Sequence, residues 1–423
     1  MLKIRSEVKK ASIIGLSCFL AYGGCYIGRN ILSSMLPQMI ANNIYSRESL
    51  ATMGSAFFIT YGMGQLINGF IGNKISAKYM VFIGLFISGI LSILFPLFYS
   101  YSLSLILWGV CGFLCSMLWG PLSKLVGENT TAKVGRILLT LLTVASIAGT
   151  AVTYFLAIFS AIKSSWKLGF FITGVILIII SILWFIANTI MENTGIIKKK
   201  DAFFEPINSK NSLGYLLRNG FIAMTVVSML NGVIRNAVTF WIPTFISERF
   251  AVSVASAAAI SSILPFVNLG GTLLSVYVAK HLHDDERKTL TILFAFTALM
   301  FTTMYLLNGK SMILNLAALF SASAAMTGAC NMIFSFYVLR FADTGKISGI
   351  TGFLDFSSYV SASAASILFS SLVPSYGWNF IVGIWAVITS IGVLFSWISS
   401  KCIYQRIKQF SVFSHVRVLL QHR

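Results

Sequence analysis

Long apolar runs, separated by short polar segments, follow one another along the whole chain. A membrane-spanning helix needs about 20 apolar residues, and a bilayer leaves no water to satisfy an irregular backbone. The 423 residues therefore hold about twelve spans and little else. We place the spans near residues 11–36, 50–72, 79–99, 102–126, 136–161, 166–190, 219–246, 254–279, 289–307, 311–339, 348–372 and 377–400. The predicted fold class is an all-α membrane protein.

Composition and charge exclude other classes of protein. The chain is 57% hydrophobic and 10% charged, whereas soluble domains have about 45–50% and 25%. That difference excludes an ordinary soluble enzyme and a disordered protein. The formal net charge of +19 suggests a nucleic-acid partner. The basic residues, however, stand in short clusters between apolar runs, so we expect a lipid bilayer as the partner and no nucleic acid.

The distribution of lysine and arginine predicts the orientation in the membrane. With the N-terminus inside, most of the 31 basic residues fall on the inner side. Those on the outer side are Arg47, Lys163, Lys167, Arg249 and Lys310. Cytoplasmic loops carry such an excess. We therefore expect both termini in the cytoplasm and a multi-pass protein of the plasma (inner) membrane.

The two halves of the chain repeat each other. An offset of 206 residues places Arg29-Asn30 on Arg235-Asn236 and Pro37 on Pro243. We divide the chain into a six-helix half (1–191), a cytoplasmic linker (192–218), a second six-helix half (219–400) and a basic cytoplasmic tail (401–423). Such a repeat predicts two pseudo-symmetric halves with a binding site where they meet.

Three charged residues lie at membrane depth: Arg29, Arg235 and Asp355. Each arginine precedes the proline at the outer end of its span by eight residues, which is about 12 Å along a helix. Snorkelling or a helix-packing ion pair are the alternatives to function. Because charges this deep are expensive, by about 3 kcal/mol, we interpret the arginines as a substrate-binding pair. Two guanidinium groups facing one cavity would suit a phosphate dianion.

Other polar residues share helical faces with these charges. Tyr22, Tyr26 and Arg29 fall on one face of span one, and Tyr61 and Gln65 are one turn apart on span two. Asn231 precedes Arg235 by one turn. We count all of them as candidate substrate-binding residues, with packing between helices as the alternative for each. Asp355 could pair with an arginine, carry a coupled proton, read a substrate hydroxyl or form only a helix contact.

The sequence contains no catalytic or cofactor motif that we recognise. The four histidines, His281, His283, His415 and His422, fall in an inner loop or the tail. Neither a nucleophile elbow nor a phosphate-binding loop is present. We expect no enzyme activity, no cofactor and no metal.

Several motifs are similar to those of a known family. Gly69-x3-Asn73-Lys74-x3-Lys78 resembles the loop signature of the major facilitator superfamily, with Asn73 where that pattern usually has Asp. More narrowly, the chain resembles the organophosphate:phosphate antiporters over nearly its whole length. The matching segments are Tyr22 to Asn30, Gly112 to Pro121, Arg235 to Thr244, Gly271 to Leu274 and Tyr376 to Trp378.

This resemblance implies a major facilitator fold and a transporter of organic anions. The implied substrate is a phosphate ester, such as a sugar phosphate or glycerol phosphate, carried by alternating access in exchange for inorganic phosphate. Arg29 and Arg235 would bind its phosphate, with Tyr22 and Tyr26 in the pocket. Two alternatives stay open: a proton-coupled carrier of another organic anion that uses Asp355, and a transporter-like membrane sensor of phosphorylated sugars. We expect a monomer.

The chain also departs from that family's pattern. Gln65 stands where the glycerol-phosphate carriers have a lysine, and Ala145 stands near the position of their span-five histidine. Asp355 is an additional acid. The pocket is therefore expected to be less positive than in those carriers.

Overall fold

The computed structural model describes residues 2–71, 75–98, 100–197, 220–283, 285–344 and 347–420. Within these ranges the regular structure is entirely helical, with no strand. The predicted linker is described only as far as residue 197. The loop signature after span two is described only in part, because residues 72–74 lie outside these ranges.

Six spans make up the first half. Two of them have short irregularities: span three ends in the 3-10 turn Phe95–Leu97, and span four is broken between Cys115 and Trp119. In order, the helices are Leu2–Ala41, Arg47–Ile71, Ala77–Leu94, Tyr101–Cys115 with Trp119–Asn129, Ala132–Ile162 and Trp166–Asn193.

The second half follows the same plan. Span seven contains the π turn Val233–Val238 between Phe221–Gly232 and Thr239–Arg249. The next helices are Val254–Ser261 with Leu264–His281, Glu286–Leu307, and Met312–Asn331, which continues into the π turn Met332–Phe336 and the 3-10 helix Tyr337–Thr344. The last element, Ile347–Leu420, holds spans eleven and twelve.

Gly377 divides that last element. Its backbone is at φ 73° and ψ 172°, outside the helical region. A side chain disfavours positive φ, which glycine adopts freely, and Pro374 has already removed one backbone donor. The predicted break between spans eleven and twelve is therefore confirmed. The backbone then stays helical to Leu420, through the segment predicted as a tail.

The twelve predicted spans are present, although their apolarity differs. Ten segments of the described chain are long and apolar enough to cross a bilayer, and the last of them, Ile350–Lys401, includes both final spans. Span two, Arg47–Ile71, is not among the ten. It carries polar residues such as Gln65 and Asn68, which face an internal cavity and not lipid.

The packing of the spans repeats with a step of six. Span one packs on five as seven packs on eleven, two on four as eight on ten, and three on six as nine on twelve. Between the halves, span two packs on span eleven and span eight packs on span five. The step of six relates these two contacts, because it takes span two to span eight and span five to span eleven. The predicted pair of pseudo-symmetric halves is therefore confirmed by the contacts.

Glycines allow the closest approaches inside each half. A Cβ on Gly149 of span five would lie 2.1 Å from the carbonyl oxygen of Gly23 on span one. A Cβ on Gly232 of span seven would lie 2.2 Å from the carbonyl oxygen of Ser358 on span eleven. Small residues let helix backbones meet closely where lipid provides no hydrophobic force between them.

Two adjacent glycines on span eight provide a matched test of this packing. A Cβ on Gly271 would lie 2.1 Å from the carbonyl oxygen of Ala324, whereas a Cβ on Gly270 would meet nothing within 4 Å. We expect Gly271→Ala to lower the free energy of unfolding by about 1–3 kcal/mol, as overpacking does. Gly270→Ala should leave the melting temperature of the detergent-solubilised protein unchanged or raise it. Equal melting temperatures of the two variants would contradict this account.

Candidate functional site

A cavity of about 860 Å³ lies between the two halves. Spans one, two, four and five line it on one side and spans seven, eight, ten and eleven on the other. We call the end of the bundle that holds the N-terminus the near end, and the opposite end the far end. The cavity extends from Arg29 toward the near end, as Asn68, Thr143 and Thr351 in its wall indicate.

Arg29 sits in this cavity among neutral partners. Its Nη2 donates to the hydroxyl of Tyr359 at 2.8 Å and to Oδ1 of Asn236 at 3.3 Å. Its guanidinium carbon lies 5.4, 4.7 and 5.2 Å from the ring centres of Tyr26, Tyr61 and Tyr359. The faces of these rings stabilise the cation without neutralising it. Its Nη1 is buried and has no hydrogen-bond partner in the described chain.

Arg235 reaches the same cavity from span seven. It lies in the π turn Val233–Val238, and π turns inside helices occur frequently at functional sites. Its Nη2 is 4.0 Å from Oδ1 of Asp355, and its buried Nε has no hydrogen-bond partner in the described chain. Each arginine therefore has a buried N–H group that is free of protein partners in the described chain and can donate a hydrogen bond to an anion. Of the four alternatives for Asp355, pairing with an arginine is the one for which the structure contains a contact, at this long distance.

The four other predicted residues of spans one and two also line the cavity: Tyr22, Tyr26, Tyr61 and Gln65. The tyrosines pack as well as line. The ring of Tyr22 lies 5.2 Å from that of Tyr26 and 5.3 Å from that of Trp119. Packing and lining are therefore not alternatives for Tyr22 and Tyr26.

Asn231 does not reach the cavity. It is fully buried, and its Nδ2 donates to the carbonyl oxygen of Met326 at 2.8 Å. That bond ties span seven to span ten behind the cavity wall. The π turn that starts at Val233 lies between Asn231 and Arg235, so the spacing of a regular α-helix does not relate their directions.

Sequence reasoning missed two residues of the site. Tyr359 and Asn236 both accept hydrogen bonds from Arg29, across the boundary between the halves. Two signals in the sequence pointed to them. Tyr359 lies one helical turn after Asp355, and Asn236 belongs to the repeated Arg-Asn pair.

The far end of the cavity is closed by contacts between the halves. Arg47 on span two forms an ion pair with Glu248 on span seven, and Nε1 of Trp378 donates to the same carboxylate at 2.9 Å. The guanidinium carbon of Arg47 lies 5.8 Å from the ring centres of Trp241 and of Trp378. Deeper in, the hydroxyl of Ser33 donates to the carbonyl oxygen of Phe240. We call Arg47, Glu248, Trp241 and Trp378 the far-end clasp.

Comparison with known proteins agrees with this architecture. The chain is 22% identical over 383 residues to the membrane sensor protein UhpC of Escherichia coli (strain K12), covering 86% of each chain. It is 24% identical over 389 residues to the glycerol-3-phosphate transporter of Bacillus subtilis (strain 168), again covering 86% of each.

A solved structure shows the same fold. It is a bacterial homolog of the human lysosomal transporter Spinster in an inward-facing, unoccupied conformation, with a TM-score of 0.77. The identity is 10%, and the match covers 94% of this chain and 98% of the other. The sequence pattern of the Major Facilitator Superfamily matches residues 18–366. The chain belongs to the major facilitator superfamily.

Proposed function

We propose that this protein is a secondary active transporter of phosphate esters, such as sugar phosphates or glycerol phosphate. The observation that carries this proposal is that Arg29 and Arg235, one from each half, line one cavity and each keep a buried N–H group without a partner. Arginine matches phosphate oxygens with parallel hydrogen bonds. The glycerol-3-phosphate transporter of Bacillus subtilis adds support, as a relative that carries this class of compound.

The binding residues follow from the same geometry. Arg29 and Arg235 hold the phosphate, and Tyr359 and Asn236 orient Arg29 through their hydrogen bonds. The tyrosines Tyr22, Tyr26 and Tyr61, with Gln65, bound the space for the organic part. Because a bound phosphate bridges the two halves, it favours conformations in which both arginines face it. That differential affinity lowers the barrier for rocking of one half against the other.

The arrangement of lysine and arginine supports an orientation. We place the near end, with both termini, in the cytoplasm of the cell and the protein in the plasma membrane. The structure then corresponds to a state that is open to the cytoplasm and closed by the far-end clasp.

Uptake into proteoliposomes tests the proposal. Purified protein is reconstituted, and labelled glucose 6-phosphate and glycerol 3-phosphate are supplied outside. Vesicles are loaded with inorganic phosphate or left without it, and with or without a pH gradient. We expect uptake of at least one ester above the level of protein-free vesicles. Stimulation by internal phosphate would identify exchange, and stimulation by a pH gradient would identify proton coupling. No uptake under any gradient would contradict a transporter.

The far-end clasp predicts how the two open states are balanced. Glu248→Gln removes the ion pair with Arg47 and weakens the bond from Trp378. A partly exposed ion pair contributes about 1 kcal/mol, so the outward-open state should gain several-fold in population. The measurement is the rate at which a cysteine at Ser33, in a background without the six native cysteines, reacts with a membrane-impermeant thiol reagent added outside.

Glu48 provides the control for that experiment. It lies next to Arg47 but is exposed, and no ion pair to it is found in the described chain. We expect Glu48→Gln to leave the labelling rate unchanged. Equal rates in the wild type and the Glu248→Gln variant would show that the clasp does not bias the equilibrium.

A sensor is the alternative, and one relative favours it. The Escherichia coli relative is named a membrane sensor protein. A sensor with this site would bind phosphate esters but move few of them. Binding without flux, measured on the same reconstituted protein, would replace the transporter proposal by the sensor.

A further inference from the structure

The charges of the cavity are not balanced for an ordinary phosphate ester. Among the lining residues that the structure describes, the formally charged ones are Arg29, Arg235 and Asp355. They leave one positive charge in excess. A phosphate monoester carries about −1.5 to −2 near neutral pH, so its binding would leave negative charge at membrane depth. A phosphate ester that also carries one ammonium group would leave the occupied site close to neutral.

The carboxylate of Asp355 lies in the cavity wall without a hydrogen-bond donor from the described chain. It lines the cavity, and its side chain is 19% exposed. Its one described partner is Arg235, at 4.0 Å, which is too long for a hydrogen bond. No hydrogen bond to this carboxylate is found in the part of the chain that the structure describes. The carboxylate oxygens of Asp355 therefore have no hydrogen-bonding partner among the described residues.

A negative charge is not needed to orient Arg235 or to accept a hydrogen bond from a substrate hydroxyl. The other arginine of the pair, Arg29, is held by the neutral side chains of Tyr359 and Asn236. An amide would accept a hydrogen bond from a sugar hydroxyl at lower cost, because a charged carboxylate is expensive at membrane depth. The charge itself is what distinguishes Asp355, and a charge attracts a cation.

The positions of the three charges suit a small zwitterion. Asp355 and Tyr359 lie one turn apart on span eleven, about 6 Å along the helix axis. Arg29 is bonded to Tyr359, and Arg235 lies beside Asp355. A phosphate between the two arginines would draw Arg235 toward itself. An amino group a few bonds away would then reach the carboxylate.

We propose that the cavity prefers phosphate esters that carry an ammonium group, with the phosphate on Arg29 and Arg235 and the ammonium on Asp355. Hexosamine phosphates and phosphoethanolamine are members of this class. The proposal rests on the function proposed above and names the substrate class of the same site.

Matched ligands test this preference. Glucosamine 6-phosphate and glucose 6-phosphate differ by an ammonium group in place of a hydroxyl. Phosphoethanolamine and 2-hydroxyethyl phosphate form a second pair with the same difference. Dissociation constants are measured by calorimetry on the purified full chain at pH 7. We expect each amine to bind at least tenfold more tightly than its hydroxyl partner. N-acetylglucosamine 6-phosphate, which lacks the charge, should lose that advantage.

Variants of Asp355 identify the residue responsible. Asp355→Asn should weaken binding of the two amines at least tenfold while the hydroxyl ligands keep or improve their affinity. Asp355→Glu retains the charge and should retain most of the preference. Because the hydroxyl ligands report on the fold and on the arginine site, a variant that binds them is folded.

The remaining outcomes separate the two proposals. Equal affinities for amine and hydroxyl ligands in the wild type, or an unchanged ratio in Asp355→Asn, would overturn this inference and leave phosphate-ester transport intact. Uptake of one proton with glucose 6-phosphate, lost in Asp355→Asn and without any preference for amines, would assign the carboxylate to proton coupling and also overturn the inference. If no phosphate ester bound at all, the proposed function itself would fail.

Discussion

Replacement of Arg29 or Arg235 by lysine is expected to weaken phosphate-ester binding at least tenfold in each case, which is about 1.4 kcal/mol. Lysine keeps the charge but loses the planar fork that offers two parallel hydrogen bonds to one phosphate. The substitution also removes the buried N–H group of each arginine that has no hydrogen-bond partner in the described chain. Calorimetry with glucose 6-phosphate and glycerol 3-phosphate measures the change, and transport should fall in parallel.

Arg249→Lys is the control for this experiment. Arg249 lies at the far end of span seven and donates to Oδ1 of Asn308, away from the cavity. Its replacement should leave the dissociation constants unchanged. Elution of all three variants as single peaks in size-exclusion chromatography would show that they fold. Wild-type affinity in both cavity variants would contradict the assignment of the site.

Most spans could be predicted because their apolar runs have the length of a bilayer crossing, although span two, Arg47–Ile71, does not reach that apolarity. The internal match of Arg29-Asn30 with Arg235-Asn236 predicted the two halves, and the packing of span two on eleven and five on eight agrees with it. The break in span four and the π turn in span seven were not predictable from apolarity. They change the direction of side chains within a run whose hydropathy stays uniform.

The charged residues of the candidate site were predictable, because the free energy of placing a charge in the membrane makes such residues rare. A charge in an apolar run is rare because it is expensive, and Arg29, Arg235 and Asp355 all line the cavity. Neutral polar residues are common in membrane spans, so their presence alone does not indicate a site. Tyr359 was missed because a tyrosine in a membrane span can equally well be a packing residue. Asn231 was included because its spacing from Arg235 was taken from a regular α-helix, without the π turn. Contacts between distant segments, such as Arg29 with Tyr359, require the fold.

Cross-linking the closed far end is expected to abolish transport. The hydroxyl of Ser55 on span two donates to the carbonyl oxygen of Ser363 on span eleven at 2.9 Å, and both residues are buried outside the cavity wall. Ser55→Cys with Ser363→Cys, joined by a short thiol-to-thiol reagent in a background without native cysteines, fixes the two halves together on that side. If transport requires them to separate there, uptake should fall to the level of protein-free vesicles.

Binding and flux should then respond differently to the cross-link. The cavity stays open at the near end in the linked state, so the dissociation constant for glucose 6-phosphate should change little. The control joins two spans of one half: Ser361 on span eleven donates to the carbonyl oxygen of Met229 on span seven at 2.6 Å. Linking cysteines at those positions should leave uptake intact, since spans seven and eleven move together. Undiminished uptake in the Ser55–Ser363 link would mean that substrate crosses without the halves parting at the far end, and alternating access by rocking would have to be abandoned.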